Sequence, residues 1–391
     1  MLRRFGVRAA VVYVFLYWLP TPLDAVPGIA EPVWNATESV WRPTVEFAAK
    51  LLSLELPEKH QSGSGDTLSN FLQVGITLVL ALVLGALWSL DRRRTRDATV
   101  MDFTRDYLRL VLAATMFSYG FAKVLALQFP QLDEWTLFQS YADSSPMGLL
   151  WRFMGFSPTY ERFTGFLEVM SGVLLATRRT STLGALLMSA VMTNVVFLNF
   201  CFDVPVKLGS SHLLLFALVV AAPDVRRLWT VFFTRSSVPP RDLTPLYARG
   251  WGRFVFPVVI FIALTLQAVQ GFTGGDHWEP PTGVPLVGGY AVVSQKGEDA
   301  SWHFVQIAEG MIAFKRGAAA WQRAPMTLDA AAKTLTVKEN AFTFEERAGL
   351  LLLNGAWDGK SVELSLQKVE MKDQPILTRE FHWVQEYPYN R

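Results

Sequence analysis

The chain has 391 residues, of which 51% are hydrophobic and only 18% charged, with a formal net charge of +2. A soluble domain carries about a quarter charged residues, so the deficit points to lipid-facing surface; the near-neutral balance says little about partners. The single cysteine, Cys201, excludes an intrachain disulfide and any zinc or iron–sulfur centre built on cysteines of one chain.

Basic residues precede a short apolar stretch from about Arg8 to Pro20. It reads as a retained first span or a cleaved signal peptide. No small-x-small cleavage site follows it, and Tyr13, Tyr17 and Trp18 have the composition of an interfacial anchor. A spanning helix needs about 20 mostly apolar residues. Later candidates are Leu68–Leu90, Tyr107–Leu127, Phe163–Ala176, Leu183–Phe202, His212–Ala222 and Phe254–Phe272. The Phe163 and His212 stretches are short and must be extended by their neighbours.

Arginine placement sets the direction. Arg3, Arg4 and Arg8, then Arg92 to Arg96, Arg178 with Arg179, and the stretch from Arg226 to Arg253 all fall on one side if the amino terminus is cytoplasmic. An odd span count then places the carboxyl terminus outside. Trp34–Glu55 and Trp135–Phe156 carry apolar residues at helical spacing and read as helices lying at the outer interface. Gln61–Asp66 reads as a flexible connection.

After Gly271 the apolar runs give way to alternation. Strands are expected at Tyr290–Gln295, Trp302–Ile307, Met311–Phe314, Thr334–Lys338, Ala341–Glu345, Leu350–Leu353, Ser361–Gln367 and Glu380–Gln385. Turn signals fall at Glu309-Gly310, Lys315–Gly317, Arg347–Gly349 and Asp358-Gly359. The fold class is therefore an α-helical transmembrane bundle of about seven spans followed by a small antiparallel β domain, barrel or sandwich. The divisions are 1–100, two spans with an outer loop helix; 101–230, a four-helix bundle; 231–272, a cytoplasmic loop and last span; and 273–391, the β domain. The β domain's near-balanced charge argues against nucleic acid.

Ionisable groups in hydrocarbon are expensive and normally face protein or water. The candidates are Tyr119, Lys123, Glu168, Asn199, Asp203, Lys207 and His212, with Asn194 as an interhelical hydrogen bonder. The topology brings them to the outer half of one bundle. Tyr119 and Lys123 share a helix face, as do Asn199 and Asp203. Gly120, Gly165 and Gly172 would let the helices approach closely. Lys123 and Glu168 read either as an ion pair fixing helix register or as ligand contacts. Asp203 reads as the cap of the helix after it, or as the end of the helix before it, neutralised by Lys123 or Lys207. His212 reads as a wet histidine at the rim. The histidines form no helical pair, and no HExxH, CxxC or phosphate-binding glycine loop is present, so no metal site is expected.

The segment from about Tyr107 to Leu228 resembles the DoxX-like family of small four-helix membrane proteins. YGFAK at Tyr119–Lys123, GFLEVMSGVLL around Glu168 and NFCFDVPVKLGSSHLLL from Asn199 to Leu215 carry the resemblance. The terminal FHWVQEYPYNR, Phe381–Arg391, looks like the ending of longer bacterial members that append an outer domain. The resemblance implies a bacterial inner-membrane protein. One branch of the family is associated with a thiosulfate:quinone oxidoreductase, so quinone is the one cofactor it suggests; none is evident from the residues. Three functions follow as expectations. The first is binding of a small or lipid-like ligand, with the β domain offered to an extracytoplasmic protein partner. The second is a quinone-linked oxidoreductase or a subunit of one. The third is a transporter with Glu168 as proton relay.

Overall fold

The computed structural model describes residues 2–25, 28–57, 64–91, 95–132, 136–137, 141, 144–234, 236–240, 242–247, 258, 262, 286–297, 301–308, 310–317 and 322–370. They fall into two compact units, Met1–Pro130 with Phe153–Asp276, and Gln131–Arg152 with His277–Arg391.

The first unit is helical. Its elements are α1 (Leu2–Tyr17), α2 (Ala30–Leu51), α3 (Leu68–Ser89) and α4 (Thr95–Val124). α6 (Pro158–Leu175), α7 (Ser181–Cys201) and α8 (Lys207–Ala221) complete it, while α5 (Pro146–Phe156) precedes α6 in the chain and has its residues up to Arg152 in the second unit. α8 runs on through a 3-10 turn, the short helix Val225–Trp229 and a π-turn ending at Thr234. Two starts carry side-chain caps: the Thr67 hydroxyl accepts from Asn70 N, and the Ser157 hydroxyl accepts from Tyr160 N ahead of Pro158. Among the described residues, three helical stretches are long and apolar enough to cross a membrane: Leu68–Ser89, Ser181–Cys201 and Lys207–Thr234. The short stretches at Phe163 and His212 are extended as expected, to Pro158 and Lys207. α4 starts at Thr95, well before Tyr107. The last expected span, Phe254–Phe272, lies outside the described residues apart from two isolated positions. Of the helix expected over Trp135–Phe156, the structure describes a continuous one only from Pro146.

α4 packs along α6, α6 along α7, α7 along α8, and α1 along α3. One apolar cluster holds them, with Val14 of α1, Leu108 and Met116 of α4, Leu175 of α6, Met188 of α7 and Phe216 of α8 at its centre. Tyr13, Tyr17 and Trp18 are half-buried and pack against this cluster.

The second unit contains a closed antiparallel barrel, each strand paired with the next and β8 with β1. The strands are β1 (Gly288–Gly297), β2 (Trp302–Ala308), β3 (Met311–Arg316), β4 (Gln322–Asp329), β5 (Thr334–Val337), β6 (Asn340–Arg347), β7 (Leu350–Trp357) and β8 (Lys360–Val369). Closure decides the barrel-or-sandwich alternative and removes exposed edges. Leu335, Val337, Leu351, Leu353, Leu364 and Leu366 are among the inward residues that fill it. Ala348-Gly349 and Asp358-Gly359 have positive φ at both positions, matching the right-handed twist of two-residue hairpins.

β4 is absent from the sequence expectation because Pro325 interrupts its alternation and removes a ladder donor. The strand forms because Ala324 and Met326 both point into the core, while Pro325 faces outward opposite Met311, the first residue of β3. The expected strand Glu380–Gln385 and the terminal Phe381–Arg391 lie outside the described residues.

Candidate functional site

Lys123 and Glu168 form a two-pronged ion pair. Lys123 Nζ donates to both Glu168 oxygens at 2.7 Å, with the two residues 7% and 3% exposed. α4 and α6 cross at Gly120 and Gly165, each one turn before its charged residue. A Cβ on Gly165 would meet the Gly120 carbonyl oxygen at 2.6 Å and Lys123 Cβ at 2.7 Å. The close crossing lets a lysine stem and a glutamate meet head-on. Tyr119 shares the Lys123 face, its ring centroid 5.9 Å from Nζ, and is itself exposed.

The other expected residues take different partners. His212 is buried, not wet at a rim. Its Nδ1 lies 2.7 Å from the Leu208 carbonyl oxygen and its Nε2 2.7 Å from the Tyr13 hydroxyl. A carbonyl can only accept, so Nδ1 carries the proton and Nε2 accepts from Tyr13. The ring stacks on Tyr17 at 4.3 Å. Trp18 meets Tyr17 edge-on, and its Nε1 is buried with no acceptor among the described residues. Asn199 is buried and donates to Ser210 Oγ at 2.9 Å, tying α7 to α8.

Asp203 does not cap α8. It sits at φ +52° beyond the end of α7, where Val204 N donates back to the Asn199 carbonyl, and its side chain is exposed. The alternative expectation holds: Lys207 neutralises it at 2.8 Å. The residue that serves the α8 amino end is Asp66, which accepts from Lys207 N at 2.8 Å and from Leu208 N at 2.9 Å. Gly65 N also donates to the Pro205 carbonyl. Residues 64–66 are thus docked, correcting the expectation of a flexible connection there; Gln61 to Gly63 lie outside the described residues. The sequence signal was an acid beside glycine, which reads equally well as a linker.

A second ionic group was not singled out in the sequence, where its arginines served only to set direction. Asp106 accepts from Arg109 Nε at 2.7 Å, from Arg178 Nε at 2.7 Å and from the Tyr247 hydroxyl at 2.6 Å. Arg178 also donates to Asp102, and Arg109 to the Leu175 and Ala176 carbonyls at the end of α6. Arg105 pairs with Asp224. Their spacing in DFTRDYLR, at three and four residues, was the legible clue. Burial draws the Arg178 guanidinium pKa down, but the hydrogen bonds it donates to Asp102 and Asp106 outweigh this and leave it raised. A cavity of about 10 Å³, near the minimum for one water, lies between these residues and Asp242. At the amino end, Arg8 reaches Asp97 at 2.6 Å and also the Trp88 carbonyl. Among the described residues no cluster of histidine, cysteine and carboxylate side chains fits a metal ion.

Apolar helices of membrane-crossing length, a polar pair between two of the packed helices and a closed barrel define a membrane-associated helical protein with an appended β module. The chain belongs to the family of the uncharacterized protein YwoB of Bacillus subtilis (strain 168). It is 36% identical to that protein over 128 residues, 32% of this chain and 79% of YwoB. No family model matches the chain, and no solved structure does.

Proposed function

We propose that this protein is a DoxX-like integral protein of a bacterial inner membrane that holds a small or lipid-like ligand at Tyr119, Lys123 and Glu168. In this reading the chain crosses the membrane about seven times. Its amino end is cytoplasmic, and its barrel stands outside, available to an extracytoplasmic protein partner. The observation that carries the reading is the Lys123–Glu168 pair itself. A buried pair is not a reliable source of stability, because apolar replacements of similar volume are often as stable. A charged pair placed between apolar helices fits a working site better than a strut. Tyr119, exposed beside Lys123, gives a ligand arriving from lipid an aromatic face and a hydroxyl next to the charges.

The reading is tested on protein purified from its native membrane, whose bound molecules are extracted and identified. Wild-type protein is expected to carry a discrete lipid-like molecule, and Glu168→Gln to lose it. Equal, non-selective phospholipid in both would overturn the proposal.

A second reading, a quinone-linked oxidoreductase or its subunit, draws on the Tyr13–His212 hydrogen bond and the Tyr17 ring stacked on the histidine. The residues fit a quinone carbonyl, for which Lys123 Nζ and the Tyr119 hydroxyl would be the donors. A bound quinone, which supplies two-electron redox chemistry, would then appear in the same extract.

A further inference from the structure

We propose that one end of the β-barrel is a binding site for a small carboxylate, formed by Trp302, Trp357 and Arg316. Two irregularities in the ladder build it. β2 slips against β3 between Trp302 and Phe304. Val305 and Phe314 face each other inside the barrel, so strict alternation would turn Trp302 outward; the bulge turns it in, opposite Arg316. β1 slips against β8 between Val292 and Ser294, which sets Gln295 opposite the inward Leu364. The Gln295 Oε1 then accepts from Trp302 N at 3.0 Å.

The groups so gathered are donors. Trp302 and Trp357 meet edge-to-face at 5.6 Å and are 3% and 5% exposed. Both indole Nε1 atoms are buried and donate to nothing among the described residues. Indole N–H can only donate, and no described residue offers either of them an acceptor, so an acceptor brought in would satisfy both. A buried donor without a partner is destabilising, which makes two at one barrel end unusual. The Arg316 guanidinium carbon lies 5.7 Å from each of the two indole centroids. The Arg316 side chain is half-exposed and forms the way in. Two neutral donors and one cation against aromatic walls suit a monoanion with apolar backing. A dianion such as phosphate would lose more hydration than these groups return.

The test is calorimetric titration of the full chain in detergent with sodium benzoate, with benzamide as the neutral isostere. Benzoate is expected to bind saturably and benzamide at least about tenfold more weakly. Trp302→Phe and Trp357→Phe keep the ring and remove the N–H; each is expected to weaken benzoate about tenfold, equivalent to 1.4 kcal/mol. No saturable heat, or equal affinity in both tryptophan variants, would overturn the site and point to trapped water as the acceptor. As a check that needs no variant, benzoate is expected to slow phenylglyoxal modification of Arg316, followed by peptide mass spectrometry. An unchanged rate would count against the proposal.

Discussion

Gly165 lies so close to Gly120 that a Cβ on it would come within 2.6 Å of the Gly120 carbonyl oxygen. That carbonyl is held in the α4 ladder and cannot retreat, so an added methyl must push the helices apart. Gly165→Ala is expected to destabilise the bundle by about 1–3 kcal/mol, the usual range for overpacking. Because Lys123 and Glu168 meet one turn away, the same variant should lose bound ligand. Thermal melting and ligand extraction on one sample check both effects.

Removing one member of the buried pair leaves the other charge without compensation. Lys123→Met alone is expected to cost about 3–5 kcal/mol, whereas Lys123→Met with Glu168→Leu should recover most of that loss. The double variant should nevertheless carry no ligand. A melt comparing the two variants separates stability from function: recovery of the melting temperature without recovery of ligand is the expected pattern.

The two aspartates near the start of α8 should behave differently. Asp66→Ala removes acceptors from two backbone N–H groups, and a lost cap costs about 0.5–2 kcal/mol. Asp203→Ala removes an exposed i,i+4 pair worth about 0.3–0.5 kcal/mol. Denaturation of the two single variants would rank them in that order.

Asp97 lies in the first turn of α4 and ties it to α1. Burial pushes its pKa up, but hydrogen bonds and charge from Arg8 and then Arg4 outweigh this and hold it below the ordinary value. A depressed folded-state pKa means the stabilisation is complete above the unfolded value of about 3.9 and is lost as pH falls through the folded value. The melting-temperature difference between wild type and Asp97→Asn should therefore be steady from pH 7 to about 5 and shrink below about pH 4.

The helical and strand segments were legible where a single physical signal dominated. Apolar runs marked α3, α7 and α8, and alternation with Gly turns marked most of the barrel. Pro325 hid β4, because a missing donor reads as a break until the closed ladder is seen to tolerate it opposite the first residue of β3. Among the polar residues, Lys123 with Glu168 was legible because two charges in apolar helices need each other. His212 was misread as wet because hydropathy cannot show that α1 lays Tyr13 and Tyr17 over it. Asp66 and the Asp106–Arg178 group escaped notice because their partners lie far away in sequence.

Site-specific photocrosslinking in the membrane tests the central claim most directly. A benzophenone side chain is placed at Tyr119 and, as a control, at the exposed Phe200 of α7. A ligand held at the Lys123–Glu168 pair predicts one discrete small-molecule adduct at position 119, absent at position 200 and abolished by Glu168→Gln. The same mixture of bulk phospholipid adducts at both positions, unaffected by Glu168→Gln, would contradict it.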